Sequence, residues 1–417
     1  MAVPRYAAFQ SEPFRALWIG MLVSNVGSQM QIVGQGWLVR DLSNAPVALG
    51  LVSVASAVPM IFLTPIGGAI ADRFPRRTLL ACTQTGMLLQ ALVLAALTLA
   101  GHIQLWQIIG LAAAGSVLLA LDNPTRQALL PDLVSQDQLQ SAVSLNSAVW
   151  SGSALIGPAL GGLLLGPLGP GGLFLVNAVS YLAVLYALVF LRGVHDRPGQ
   201  RPDPVFAGVI NGLQYASRDG LTRTVLLLLV VGSLFGRSYQ TLMPIFARDV
   251  LNVGPTGYGL LLAAPGAGAI VGAFALGAAR TLRRTDRVML GGLMCFCVLV
   301  MLFTITRTFA IALVWMFGAG ISSTVFIACG STLLQLHSPR ALRGRVMSLA
   351  TVANIGMSQM GGLLGASLAT LVGAPAAVGG AALTALLIAV LFALAPGWRA
   401  SAANVMAVPA EGQGVAP

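Results

Sequence analysis

From Gln138 to Leu191 the chain carries no Asp, Glu, Lys or Arg, and the same is true from Val346 to Trp398. A soluble fold has no use for uncharged runs of this length. Each has room for two helical membrane crossings of about 20 residues with a turn between them. The remainder agrees, since 57% of the 417 residues are hydrophobic and 8% charged, against about 25% charged in soluble domains. The sequence reads as an all-α membrane protein that crosses the bilayer many times. Twelve crossings need roughly 240 to 300 residues, which leaves short loops and little room for a separate soluble domain.

Apolar runs bounded by charged or Gly/Pro turns fall at 14–38, 47–71, 78–100, 103–122, 141–167, 171–191, 223–247, 256–279, 287–306, 309–332, 344–371 and 375–396. The first has no small-residue cleavage site behind it and holds Asn25, Gln29, Gln31 and Gln35, so it reads as a retained helix and not as a signal peptide. The longest polar stretch, Arg192 to Arg223, contains Pro198, Pro202 and Pro204 and then an amphipathic piece from Val205 to Ser217, which is expected to lie along the membrane surface. These features divide the chain into an N-terminal six-helix bundle (1–191), a central cytoplasmic loop with an amphipathic helix (192–222), a C-terminal six-helix bundle (223–396) and a disordered tail (397–417).

All 23 basic residues are Arg, and the formal net charge is +11. In a soluble protein such an excess would suggest nucleic acid. Here the Arg clusters sit between apolar runs, where the positive-inside rule accounts for them. With the amino terminus in the cytoplasm, 19 of the 23 fall on the inner side, Arg40, Arg248 and Arg307 fall outside, and Arg237 lies within a span. Both termini are thus expected in the cytoplasm. The four Cys lie in apolar segments and the three His in or beside loops, so neither a disulfide framework nor a metal site is expected.

The two halves repeat. A shift of 204 positions carries Ser144 and Leu145 onto Ser348 and Leu349, and Gly152, Gly157, Gly161 and Gly169 onto Gly356, Gly361, Gly365 and Gly373. Either small-residue helix packing or an internal duplication gives such a match, and four glycines at one offset favour duplication. Two pseudo-symmetric six-helix bundles around a midplane site are the architecture of rocking transporters.

At the turn after the second run stands GAIADRFPRR, Gly68 to Arg77. Gly68 permits close helix approach, Asp72 can pair with a neighbouring Arg or cap a helix end, and Arg76 and Arg77 can meet anionic headgroups. The segment resembles the major facilitator superfamily signature G-x-x-x-D-R-x-G-R-R: Gly68, Asp72, Arg73, Arg76 and Arg77 match, and Pro75 stands where the family has Gly. The resemblance implies a conformational latch on the cytoplasmic side. GSALIGPALGG, Gly152 to Gly162, is similar to the antiporter motif G-x-x-x-G-P-x-x-G-G with one extra residue ahead of Gly157 and Pro158; Gly161 and Gly162 complete it. Read as physics, it is a kinked, closely packed helix. As a resemblance it implies export. LWIGMLVSNVGSQM, LDNPTRQALLPDLV and FLVNAVSYLAVLYAL look like the branch of enterobactin exporters and macrolide-efflux proteins.

What the resemblance implies is the twelve-helix major facilitator fold in a bacterial cytoplasmic membrane, surrounded by lipid and working as a monomer. The function implied is secondary active export of small amphiphilic compounds, drug-like molecules or siderophores, with protons as the coupling ion. A nutrient importer of the same fold and a lipid scramblase are the alternatives. Without Lys there is no G-x-x-x-x-G-K-[ST] loop, and no enzyme motif, cofactor or nucleic-acid partner is expected.

In this fold the first, fourth, seventh and tenth spans line the central cavity. On the first, Ser24, Ser28, Gln31 and Gln35 form one stripe with Asn25 and Gln29 alongside. These polar groups either face a wet cavity or bond to a neighbouring helix. On the seventh, Arg237 lies about 20 Å from the cytoplasmic end. It either lines the cavity for an anionic substrate, with Tyr239 and Gln240, or snorkels to the outer interface. Asp122 and Arg126, one turn apart, form either a proton-sensitive gate or an interfacial salt bridge. Asp122 is the acid within reach of the cavity, with Asp41 in reserve.

Overall fold

The computed structural model describes residues 7–190, 205–278, 284–339 and 342–394, except for the side chains at 65, 66, 68, 69, 71, 72 and 205–211. The expected tail and the first part of the central loop, 192–204, lie outside these residues. Every long element is a helix, as a backbone in hydrocarbon requires, because each N–H and C=O must find its partner inside the segment.

The N-terminal half holds α1 (Glu12–Leu42), α2 (Pro46–Arg73), α3 (Arg76–Leu99), α4 (Leu105–Leu129) and α5 (Leu139–Ala187). The amphipathic α6 (Val205–Arg218) follows. The second half holds α7 (Gly220–Val231), α8 (Tyr239–Ile245), α9 (Pro255–Ala278), α10 (Thr285–Ile305), α11 (Phe309–His337), α12 (Arg343–Thr351), α13 (Met357–Val372) and α14 (Ala374–Leu394). Among the described residues, ten helical stretches are long and apolar enough to cross a membrane. The polar stripe of α1 lowers its hydropathy and keeps it from being one of them.

One of those ten, Gln136–Ala187, is broken at Gly169, whose backbone is left-handed (φ 66°, ψ 176°). Its counterpart at the 204-residue offset, Gly373, terminates α13 in the same region (φ 82°, ψ 156°). A residue with a Cβ rarely adopts these angles, so the repeated glycine marks a repeated turn. The other glycines of the repeat pack alike. A Cβ on Gly157 or Gly161 would meet α1 at Gln29 or Val33, and one on Gly361 or Gly365 would meet Leu234 or Ser238 of the segment α7–α8.

Contacts within each half join α1 to α5, α2 to α4 and α3 to both α4 and α5, and likewise α9 to α11, α10 to α11 and α14, and α13 to α14. Two further pairs, α5 with α9 and α2 with α13, cross between the halves. α4 continues past the end expected at residue 122, because Pro124 is accommodated inside it. Pro124 cannot bond the carbonyl of Ala120; Gly67 of α2 lies against that carbonyl, and the Thr125 hydroxyl donates to Leu121 O at 2.7 Å.

The seventh and eleventh runs, expected as plain helices, are interrupted by π-helical turns at Gly232–Gly236, Phe246–Val250 and Val352–Gly356. α7 begins at an N-cap, Asp219, whose Oδ2 accepts from the Thr222 amide at 2.8 Å while Oδ1 faces His337 Nε2 at 3.0 Å. Burial raises the Asp219 pKa, but the Thr222 and His337 contacts outweigh it and leave the group below its ordinary value.

Candidate substrate cavity and coupling pair

A cavity of ≈ 360 Å³ lies between the halves, within the range of small-molecule sites. The α1 stripe supplies Asn25, Ser28, Gln29, Gln31 and Gln35 to its wall. Gln90 comes from α3, Ser116 and Arg126 from α4, Trp150, Asn177 and Tyr181 from α5, Gln240 from α8, Tyr258 from α9 and Gln359 from α13. The α1 polar residues turn out to serve both expected roles. Asn177 Nδ2 donates to Gln31 Oε1 at 2.7 Å, and the Ser28 and Tyr181 hydroxyls share a bond at 3.1 Å, yet Gln31 and Ser28 still line the cavity. The Asn25 amide nitrogen is buried without a protein partner among the described residues. Ser24 is buried and off the wall.

Behind this wall sits the charged pair. Asp122 has no exposed surface, Arg126 is 7% exposed, and the two are in contact through Asp122 Oδ2 and Arg126 Nε. Helix α3 completes the carboxylate's shell: the Thr83 hydroxyl and the Gln84 amide donate to Oδ1 at 2.9 and 2.7 Å. Buried in this way, the carboxylate has those donors and the guanidinium as its polar partners. Arg126 lines the cavity and Asp122 does not, so ligand or water reaches the acid through its partner. Sequence periodicity gave Asp122 and Arg126; Thr83 and Gln84, on another helix, went unnoticed.

Arg237 and Tyr239 are not among the residues that line this cavity. Tyr239 is buried, its ring 6.3 Å from that of Phe296 within the second half. Arg237 is half-buried and donates from Nη1 to Asn354 Oδ1 at 3.0 Å. The π turn ahead of Arg237 shifts the helical phase, which is why Gln240 reaches the cavity while Tyr239 turns away from it.

At the end where α1 and the α7–α8 segment finish, two ion pairs cross between the halves. Arg40 Nη2 meets Asp249 Oδ2 at 2.7 Å, and Arg248 Nη1 meets Asp41 Oδ1 at 2.5 Å. Arg40 also donates to Asn44 O at 2.6 Å. The arrangement is reciprocal, Arg-Asp against Arg-Asp, and the repeated dipeptide is the signal that sequence reading passed over. Exposed pairs contribute about 0.2–1 kcal/mol each. The double change Asp41→Asn, Asp249→Asn is therefore expected to loosen this end only severalfold, as a broader spin-label distance between residues 44 and 252. A distance distribution identical to that of the parent would show that the pairs clamp nothing.

A profile of the transmembrane secretion effector family matches residues 3–410. The chain belongs to that family. Curated relatives that it matches are described as an MFS-type transporter, a multidrug efflux pump and an enterobactin exporter. The chain is 24% identical over 400 residues to the multidrug efflux pump Tap of Mycolicibacterium fortuitum, covering 93% of this chain and 96% of that one. It is 26% identical over 368 residues to the enterobactin exporter EntS of Shigella boydii, covering 84% and 85%. It is 30% identical to the staphyloferrin A transporter of Staphylococcus aureus over 227 residues, covering 54% and 57%. The chain spans about three fifths of the length of the first curated relatives it matches. Among solved structures, a bacterial homolog of the human lysosomal transporter Spinster superposes with a TM-score of 0.68 at 14% identity over 95% of this chain and 96% of that one, which gives the fold.

The turn that resembles the major facilitator signature joins α2 to α3. Gly68 and Asp72 belong to the α2 backbone, but the Asp72 side chain lies outside the described residues. Arg73 is exposed and Arg77 half-buried. Arg76 donates to Asp132 Oδ2 at 2.6 Å and to Ala128 O at 2.9 Å, so it ties the start of α3 to the chain just beyond α4 within one half. Of the antiporter-motif residues, Gly157 and Gly161 press on α1, while Gly162 and the carbonyl of Pro158 meet Gly259 of α9. Gly152 faces open space, and packing gives no reason for glycine there.

Proposed function

We propose that this secretion effector family member exports a small amphiphilic organic compound, drug-like or siderophore-like, from the cytoplasm in exchange for protons. The observation that carries the reading is the buried Asp122–Arg126 pair behind a cavity walled by carboxamides and aromatic rings. Proton exchange needs a carboxylate whose charge depends on its surroundings, and a buried acid whose arginine partner reaches the cavity, where water or substrate can draw that partner away, supplies one. The export direction draws support from the relatives Tap and EntS, described as an efflux pump and an exporter.

In this reading α1 is a span, α5 counts as two, divided at Gly169, and with the other nine stretches the chain crosses twelve times as two six-helix bundles, 1–191 and 223–396. Both termini are cytoplasmic. Arg73, Arg76 and Arg77 then face the cytoplasm, and the Arg40–Asp249 and Arg248–Asp41 pairs close the outer end. A reporter fused after Trp398 is expected to be active only as a cytoplasmic fusion; periplasmic activity would sink the topology. The function itself is tested by accumulation: cells that make the protein should hold less of a candidate compound, and the difference should vanish when a protonophore collapses the gradient. Equal accumulation across siderophores and drugs alike would count against export.

A further inference from the structure

We propose that Arg237 recognises an acidic group on the transported compound, so that the substrate is a carboxylate or comparable organic anion and not a cation. This rests on the transport reading above and narrows its substrate class. Three observations converge.

The first is electrostatic. Arg237 sits midway along the span formed by α7, the π turn and α8. Among the described residues no carboxylate lies within ion-pair distance of it, and the partner it has is the neutral Asn354. Arg126, the arginine on the cavity wall, has Asp122. An ionised group within a membrane span is costly unless paired or facing a wet cavity, and a guanidinium offers five donors in a planar fork that suits a carboxylate. Asn354 Oδ1 engages one of them and also accepts from Ser233 at 3.4 Å.

The second is the backbone. Arg237 follows one π turn, Gly232–Gly236, and Asn354 lies within another, Val352–Gly356, and the two turns pack on each other. Gly232 and Gly236 allow the first to lie against Phe326 and Phe296; a Cβ would come within 2.8 and 2.6 Å of those rings. Arg237 itself leaves the helix at φ −98°, ψ 3°. Such turns interrupt α-helices mostly at functional positions. Irregular backbone at this depth is tolerated where protein buries it or where it lines a water-filled space.

The third is the cavity wall. Gln240, one turn from Arg237, and Gln359, close beyond Asn354, both line the cavity, and no Asp or Glu does. A cationic substrate would find no counter-charge on that wall. Arg237 is not itself on that wall but stands one turn before Gln240, which is, so an anion among the carboxamides would meet it at that turn.

Three probes with one aromatic body decide it: a carboxylate, the matching carboxamide and the matching trimethylammonium compound. Equilibrium binding to the full chain in nanodiscs is measured separately from efflux in proteoliposomes. The carboxylate is expected to bind about tenfold or more tightly than either analogue, as one charge-assisted contact implies. Arg237→Gln should erase that preference without changing carboxamide binding or thermal stability, and Arg237→Lys should restore part of it. Equal carboxylate preference in Arg237→Gln, preference for the cation, or no carboxylate binding overturns the inference. Arg237-dependent binding without outward movement would leave the inference standing and remove the export reading. Efflux of the carboxylate indifferent to Arg237→Gln would do the reverse.

Discussion

Protein carrying Asp122→Asn should bind its substrate as the parent does and yet ignore an imposed pH gradient, with gradient-driven counterflow falling to the level of protein-free liposomes. Asn is the informative replacement because its side-chain oxygen can still accept from Thr83 and Gln84, which hold Oδ1 of the acid at 2.9 and 2.7 Å. What disappears is the charge opposite Arg126 and the capacity to take up a proton. Removing one partner of a fully buried ion pair costs about 3–5 kcal/mol. Arg126 lines the cavity, so water can stand in for the lost carboxylate and the cost should fall below that range. The variant should therefore insert and fold with a modestly lower melting temperature. If it follows the gradient like the parent, Asp122 is a structural salt bridge. Should the parent also ignore the gradient while still moving substrate, proton exchange is the wrong coupling.

How much of this was legible beforehand depended on whether the signal was local. The uncharged runs and the Arg clusters are local, and the helices follow them. The glycine repeat is a long-range signal that sequence still carries, since one offset relates Gly169 to Gly373 and both take the same left-handed turn. The acid–base pair at residues 122 and 126 was legible because one helical turn joins its members. Its co-ligands on α3 were not, because helix periodicity does not say which neighbour a face will meet. The π turns were invisible for a related reason: the polar residues scattered through the seventh and eleventh runs show no regular phase whose slip would mark an extra residue. That is why Tyr239, read as a cavity residue, is instead packed on Phe296, and why Asn354 gave no sign of its bond to Arg237.

The larger structural effect is expected at Gly162. A Cβ there would stand 2.5 Å from Gly259 Cα and 2.8 Å from both Gly259 N and Pro255 O. These are backbone atoms, and no rotamer change can move them aside. With Gly162→Val, α5 and α9 must part at this level, at an overpacking cost of about 1–3 kcal/mol. The cost falls only on the conformation in which the two helices touch. A difference of that size shifts a two-state population by about five- to 150-fold, toward the state whose outer end is open in the proposed orientation. In a background lacking the native cysteines, Gln35→Cys on the cavity wall should then become reactive toward an impermeant maleimide from outside, and transport should fall by more than tenfold. Gly152→Val is the internal control, since a side chain there meets nothing within 4 Å, and it should leave labelling and transport near the parent values. If the two valine variants behave alike, the close approach of α5 and α9 does not govern the conformational balance, and the glycines that resemble the antiporter motif have to be explained some other way.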